Sequence, residues 1–193
     1  MRISVALMLA ALAAFACSKS GPSFKNTDIT GADYGKDFRL TDHTGKTRTL
    51  ADFQGKVVVM FFGYTRCPDV CPTTLAELKA VKEQLGEDGN RLQVLFVTVD
   101  PERDTPELLA SYVPAFDPSF LGLYGDSAAI GKVAKDFKVY YQKVPGKTPD
   151  SYTVDHTAGS YVFDPLGRLR LFARYGNAAN LAADIRTLLR NPG

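Results

Sequence analysis

An uninterrupted apolar run, Lys56-Val57-Val58-Val59-Met60-Phe61-Phe62, leads directly into Gly63-Tyr64-Thr65-Arg66-Cys67-Pro68-Asp69-Val70-Cys71-Pro72. The run predicts a buried strand. After the cysteines, Leu75 to Leu85 carries apolar residues at helical spacing, and Gly86 ends the pattern. Two cysteines therefore lie in a turn between a strand and a helix. Open α/β sheets place their chemistry at such turns, just beyond the carboxyl end of a strand. Pro72 suits the first turn of the helix, and Thr73 and Thr74 are placed to satisfy its free N–H groups. The positive end of the helix favours thiolate over thiol, which predicts lowered pKa values for both Cys67 and Cys71.

Around this unit the chain alternates. Phe38 to Leu50 reads as a hairpin turning at Gly45. Leu92 to Val99 is a second buried strand, and Asp104-Thr105-Pro106-Glu107 opens a helix over Leu108 to Tyr112. Phe120 to Tyr124 predicts a third strand, Ser127 to Phe137 a helix, and Val139 to Gln142 a strand. Val144 to Tyr152, with two prolines and a glycine, reads as a surface excursion. Val154-Asp155-His156-Thr157-Ala158 leads into a strand at Gly159 to Phe163. Asp164-Pro165-Leu166-Gly167 is a turn, Arg168 to Ala173 the return strand, and Asn180 to Leu189 an amphipathic helix. This order predicts an α/β domain with a thioredoxin-like fold: a central mixed sheet flanked by helices, with an N-terminal β-hairpin.

The first 16 residues differ from the rest. Arg2, an apolar stretch from Val5 to Phe15, and Ala14-Phe15-Ala16 form the pattern of an export signal peptide. Cys17 follows the cleavage pattern directly, where an exported bacterial chain carries a lipid. The sequence thus predicts a signal peptide over 1–16, a flexible tether over 17–36 with a lipid anchor at Cys17, and a folded domain over 37–193, facing the periplasm. Charge is nearly balanced, with 23 basic and 21 acidic residues. Nucleic-acid binding needs a clustered basic excess, so no nucleic acid is expected as a partner.

With Cys17 in the leader region, Cys67 and Cys71 are the only cysteines the domain can use. Separated by three residues, they lie about one helical turn apart, so both sulfurs can point at one spot. Such a pair can exchange a disulfide with a partner or clasp a soft metal ion. A third ligand would decide between these. Of the two histidines, His43 sits in a turn among ordinary turn residues and reads as a solvated loop residue. His156 precedes a strand, in a segment that a thioredoxin-like domain packs close to the cysteine turn, though spacing alone fits a hydrogen-bonded loop histidine equally well. Two thiolates and an imidazole suit Cu(I), and an added oxygen or water lets the set take Cu(II). Structural zinc wants four protein ligands. Asp155 is placed to orient the imidazole. Asp100 and Arg103, in Val99-Asp100-Pro101-Glu102-Arg103-Asp104-Thr105-Pro106, carry no obvious ligand chemistry and read as a structural turn network in preference to a docking face near the site.

Three motifs, Cys67-Pro68-Asp69-Val70-Cys71-Pro72, Val99 to Pro106, and Val154-Asp155-His156-Thr157, together resemble the Sco/SenC family from about Phe38 to the C-terminus. The resemblance implies a thioredoxin-like, membrane-tethered copper chaperone that serves the CuA site of cytochrome c oxidase. It implies copper held by Cys67, Cys71 and His156, with Asp155 also matching the pattern. Its implied partners are the CuA-bearing oxidase subunit, other periplasmic copper carriers or thiol–disulfide reductants, and the membrane. Many relatives use a transmembrane helix, whereas this chain reads as anchored through Cys17. The same two cysteines also fit a thiol–disulfide oxidoreductase acting on the CuA-site cysteines. Val70-Cys71-Pro72-Thr73 is similar to the segment around a peroxidatic cysteine, but Pro68 stands where that chemistry wants threonine.

Overall fold

A computed structural model describes residues 21–148 and 151–191. The predicted signal peptide and Cys17 lie outside the described residues. In chain order the elements are β1 (Thr27–Asp28), β2 (Leu40–Asp42), β3 (Thr47–Arg48), β4 (Val57–Gly63), α1 (Val70–Leu85), β5 (Leu92–Thr98), α2 (Pro106–Tyr112), β6 (Leu121–Tyr124), α3 (Ser127–Asp136), β7 (Tyr141–Pro145), β8 (Tyr152–His156), β9 (Ser160–Phe163), β10 (Leu169–Ala173) and α4 (Ala178–Arg190).

The sheet is mixed, in the order β1-β10-β9-β4-β5-β6-β2-β3. β4 lies inside it, parallel to β5 on one side and antiparallel to β9 on the other. Every residue of β4 and β5 is buried, which explains why both read as unbroken apolar runs rather than alternating ones. Successive side chains of β4 serve opposite faces. Phe62 stacks edgewise against Tyr161 and tilts onto Phe137, at centroid distances of 6.0 and 5.6 Å. Phe61 turns the other way, toward Phe96. That second face is the one beneath Cys71.

Local chemistry starts the helices that cover the sheet. Thr105 caps α2 by accepting from the Leu108 N–H, with Pro106 as the first helical residue. Asp126 caps α3 by accepting from the Ala129 N–H at 2.7 Å. α1 packs against α4. The two are also tied end to end, because the Glu77 carboxylate accepts the N–H groups of Gly176 and Asn177 just before α4. Among the described residues, no helix is long and apolar enough to cross a membrane.

Three expectations change. Residues 25–30, read as tether, are part of the folded body. The Lys25 and Asn26 N–H groups both donate to Asp184 at 2.8 Å, β1 pairs with β10, and the Ile29 N–H donates to the Arg170 carbonyl. Main-chain bonds hold much of this segment, joined by side-chain bonds at Asn26 and Thr30 and by Ile29 packing on the core, so its polar composition gave little sign of it. The excursion at Val144 to Tyr152 begins and ends in strands: β7 and β8 pair antiparallel as a separate two-stranded sheet, from Tyr141 opposite His156 to Pro145 opposite Tyr152. His43, finally, is half-buried and bonded. Its N–H donates to the Gly122 carbonyl at 2.8 Å, and its Nδ1 accepts from the Gly122 N–H at 3.0 Å. It extends the β2–β6 pairing and is a structural residue.

Candidate metal centre

β4 delivers the chain to the site and Gly63 lets it pass. A Cβ on Gly63 would stand 2.9 Å from the Cys71 sulfur and from ring carbons of Phe61 and Phe96. The backbone therefore runs against the sulfur, and only hydrogen fits between them. Beyond Gly63 the chain turns, with the Cys67 N–H donating to the Tyr64 carbonyl. α1 then begins at Val70, five residues before the expected apolar pattern. Cys67 thus lies in the turn, half-buried, while Cys71 is within the first turn of α1 and fully buried.

The N-terminus of α1 is not capped as the sequence predicts. Among the described residues, the Asp69 side chain makes no capping bond, and Thr74 Oγ1 is buried without a partner. The Cys71 N–H instead points at the Cys67 sulfur, 3.4 Å away. That sulfur occupies the place where a helix start favours negative charge.

His156 arrives from β8, as its last residue rather than from a loop. Its ring packs edgewise on Phe61 and Tyr64, each at a centroid distance of 6.0 Å. Nδ1 lies 3.2 Å from the Thr157 carbonyl oxygen. A carbonyl only accepts, so Nδ1 carries the hydrogen and Nε2 bears the lone pair. Nε2 faces the Cys71 sulfur at 3.5 Å. Burial holds the imidazole below the ordinary histidine pKa, so the ring is neutral at pH 7, the form that binds metals. The orienting role predicted for Asp155 falls to the Thr157 carbonyl. Asp155 is exposed on β8 and acts on the ring through its nearby charge.

The expectation of two acidified cysteines fails at Cys71. Burial pushes its thiol well above the usual range, and the Cys67 sulfur adds to the effect. Removing a thiolate from water costs more than the helix terminus returns. A cation beside the sulfur would reverse that balance.

The donors Cys67 Sγ, Cys71 Sγ and His156 Nε2 or Nδ1 all lie within 4.8 Å of one another. Donors sharing one ion at bond lengths of about 2.0–2.3 Å stand roughly 3.5–4 Å apart, so the set fits a single soft ion after a small contraction. A cleft of about 310 Å³ opens beside it, between residues 67–70 and 153–156. A larger cavity of about 570 Å³, between residues 30–36 and 167–170, contains no cysteine or histidine and takes no part in the donor set.

Comparison with known proteins places this geometry. The bovine (Bos taurus) "Protein SCO2 homolog, mitochondrial" is 42% identical over 156 residues, covering 80% of this chain and 58% of the relative, so the chain spans less than two thirds of that protein. Among solved structures, Bradyrhizobium japonicum ScoI with copper bound aligns with a TM-score of 0.72 and 44% identity, over 79% of this chain and 98% of that one. The apo Sco1 protein of Thermus thermophilus aligns with a TM-score of 0.76 and 45% identity, over 86% of this chain and 97% of that one. The thioredoxin-like fold expected from the sequence is the observed one. Residues 26–190 match the family described as SCO1/SenC, and the chain belongs to that family.

Proposed function

We propose that this protein is a copper chaperone that binds one copper ion through Cys67, Cys71 and His156 and delivers it to the CuA site of cytochrome c oxidase. The observation that carries the reading is the approach of His156 Nε2 to Cys71 Sγ at 3.5 Å, with the ring already in the metal-binding tautomer. Two sulfurs and one imidazole suit Cu(I). Copper bound to the Bradyrhizobium relative supports the choice of metal. The Thr157 carbonyl holds the ring, the Cys71 N–H steadies the Cys67 sulfur, and three protein donors leave room at the cleft for a ligand from the acceptor. The acceptor is the CuA-bearing oxidase subunit, and other periplasmic copper carriers or thiol reductants load and reset the site. Export by residues 1–16 and lipid attachment at Cys17 would keep the domain at the membrane where that subunit resides.

A second reading uses the same sulfurs. Cys67 is half-buried at the cleft, with a helix N–H on its sulfur, while Cys71 is sealed behind it. This suits a nucleophile and a resolving thiol. As a thiol–disulfide oxidoreductase the pair would give two electrons and two protons to the oxidase subunit's CuA-site disulfide and become a disulfide itself. One titration separates the readings. The reduced chain is titrated anaerobically with Cu(I), beside His156→Ala. The chaperone reading expects one copper per chain and strong weakening in the variant. Unchanged copper affinity in His156→Ala, with disulfide exchange on a CuA-subunit peptide intact, would favour the oxidoreductase.

A further inference from the structure

Among the described residues, His156 belongs to a hairpin that is not laddered to the main sheet, since β7 and β8 pair there only with each other. Side chains therefore set where this ligand stands relative to the cysteines. The main tie is at the far end of β8. Asp100, buried after β5, accepts the Tyr152 phenol at 2.7 Å through one carboxylate oxygen and pairs with Arg103 through the other. Arg103 Nη1 donates to the Tyr152 carbonyl at 2.9 Å, and its guanidinium carbon stands over the Tyr152 ring, 3.5 Å from the centroid. The same guanidinium stands 5.8 Å from the centroid of the Tyr64 ring, on which His156 packs edgewise. A weaker, exposed tie joins Lys143 of β7 to Glu102.

We propose that Arg103 is a positioning residue for His156. It fastens Tyr152 to Asp100 and so holds the hairpin with its imidazole over the cysteine pair. Its planar fork meets a carboxylate, a carbonyl and an aromatic face at once, which no lysine could reproduce. The residue touches no donor atom. It acts by fixing a strand whose other end carries the ligand. When Arg103 lets go, the hairpin keeps the direct Tyr152–Asp100 bond, the Val154 main-chain bond to the Tyr64 hydroxyl, the Glu102–Lys143 tie and the packing around Val154, and His156 is held over the sulfurs less firmly. The proposal rests on the copper reading for its consequence, but not for its structural content.

The test therefore has a metal-free arm. In the reduced, metal-free full chain, Arg103→Gln should speed amide deuterium exchange across residues 152–156 while β4 and β5 stay protected. Tyr152→Phe loses only the bond to Asp100 and keeps the Asp100–Arg103 pair. It should give a smaller change of the same kind, and it decides the matter if Arg103→Gln fails to fold. In the copper arm, Arg103→Gln should weaken Cu(I) binding about 10- to 100-fold, as loss of an outer partner of a ligand does. In a His156→Ala background it should change affinity by no more than about twofold, the scatter of independent sites. Unchanged exchange at residues 152–156 in both variants would overturn the proposal, and so would equal copper loss in the two backgrounds. If His156→Ala alone leaves Cu(I) affinity intact, the copper reading fails, and the exchange arm still decides the latch.

Discussion

His156 Nε2 stands 3.5 Å from Cys71 Sγ across 85 residues of chain. Neither residue sits in a flexible loop. Cys71 is fixed in the first turn of α1 and His156 ends β8, while the Phe61 and Tyr64 rings wedge the imidazole in place. The contact is a product of the fold, and each prediction below disturbs one part of what creates it.

Gly63 is the first part. Its hypothetical Cβ meets the Cys71 sulfur and two buried rings at 2.9 Å, none of them free to swing away. Gly63→Ala is expected to cost about 1–3 kcal/mol of stability, the usual range for overpacking a core. It should also displace Cys71 and weaken copper binding. Urea denaturation reads the first effect and Cu(I) competition the second.

Protons come next. Burial raises the Cys71 pKa, so the metal-free chain holds a protonated thiol there at neutral pH. Binding a metal as thiolate must expel that proton. Copper uptake should therefore release protons, and apparent affinity should rise with pH through neutrality, by about tenfold per unit for each proton released. Calorimetry in buffers of different ionisation enthalpy counts them. His156, neutral at pH 7 already, adds none there and joins only as pH falls through its lowered pKa.

Acid stability has a separate source, on β2 beside the edge strand β3. Burial opposes charge on Asp42, but bonds from the Thr44 hydroxyl, the Arg48 guanidinium and the Lys46 and Thr44 N–H groups outweigh it and hold its pKa at about 2. The folded value is depressed, so the stabilisation is complete above the unfolded value near 4 and is lost as pH falls through about 2. It amounts to roughly 2 kcal/mol at neutral pH. Asp42→Asn should remove that share of the pH dependence, read as urea midpoints between pH 6 and pH 2, without changing copper binding.

The residues that declared themselves in the sequence did so through pattern. β4 and β5 are buried on both faces and showed it as unbroken apolar runs, and the cysteine pair stood at a strand–helix junction. What stayed hidden depends on contacts between distant segments. Asp184 holds residues 25 and 26 by main-chain N–H groups, which leave no trace in side-chain pattern. The strand ending at His156 alternates too weakly to announce itself, since Val154 is its one buried residue. The raised Cys71 pKa follows from complete burial, whereas sequence position alone pointed to the helix terminus and the opposite sign. Asp100 and Arg103 were legible as a turn network, but their grip on Tyr152 needed the fold to bring β8 alongside.

Copper K-edge X-ray absorption on the Cu(I)-loaded chain tests the three-donor centre most directly. Two sulfur scatterers near 2.2–2.3 Å and one imidazole nitrogen near 2.0 Å are expected, with the nitrogen lost in His156→Ala. A two-sulfur spectrum that His156→Ala leaves unaltered would contradict the account.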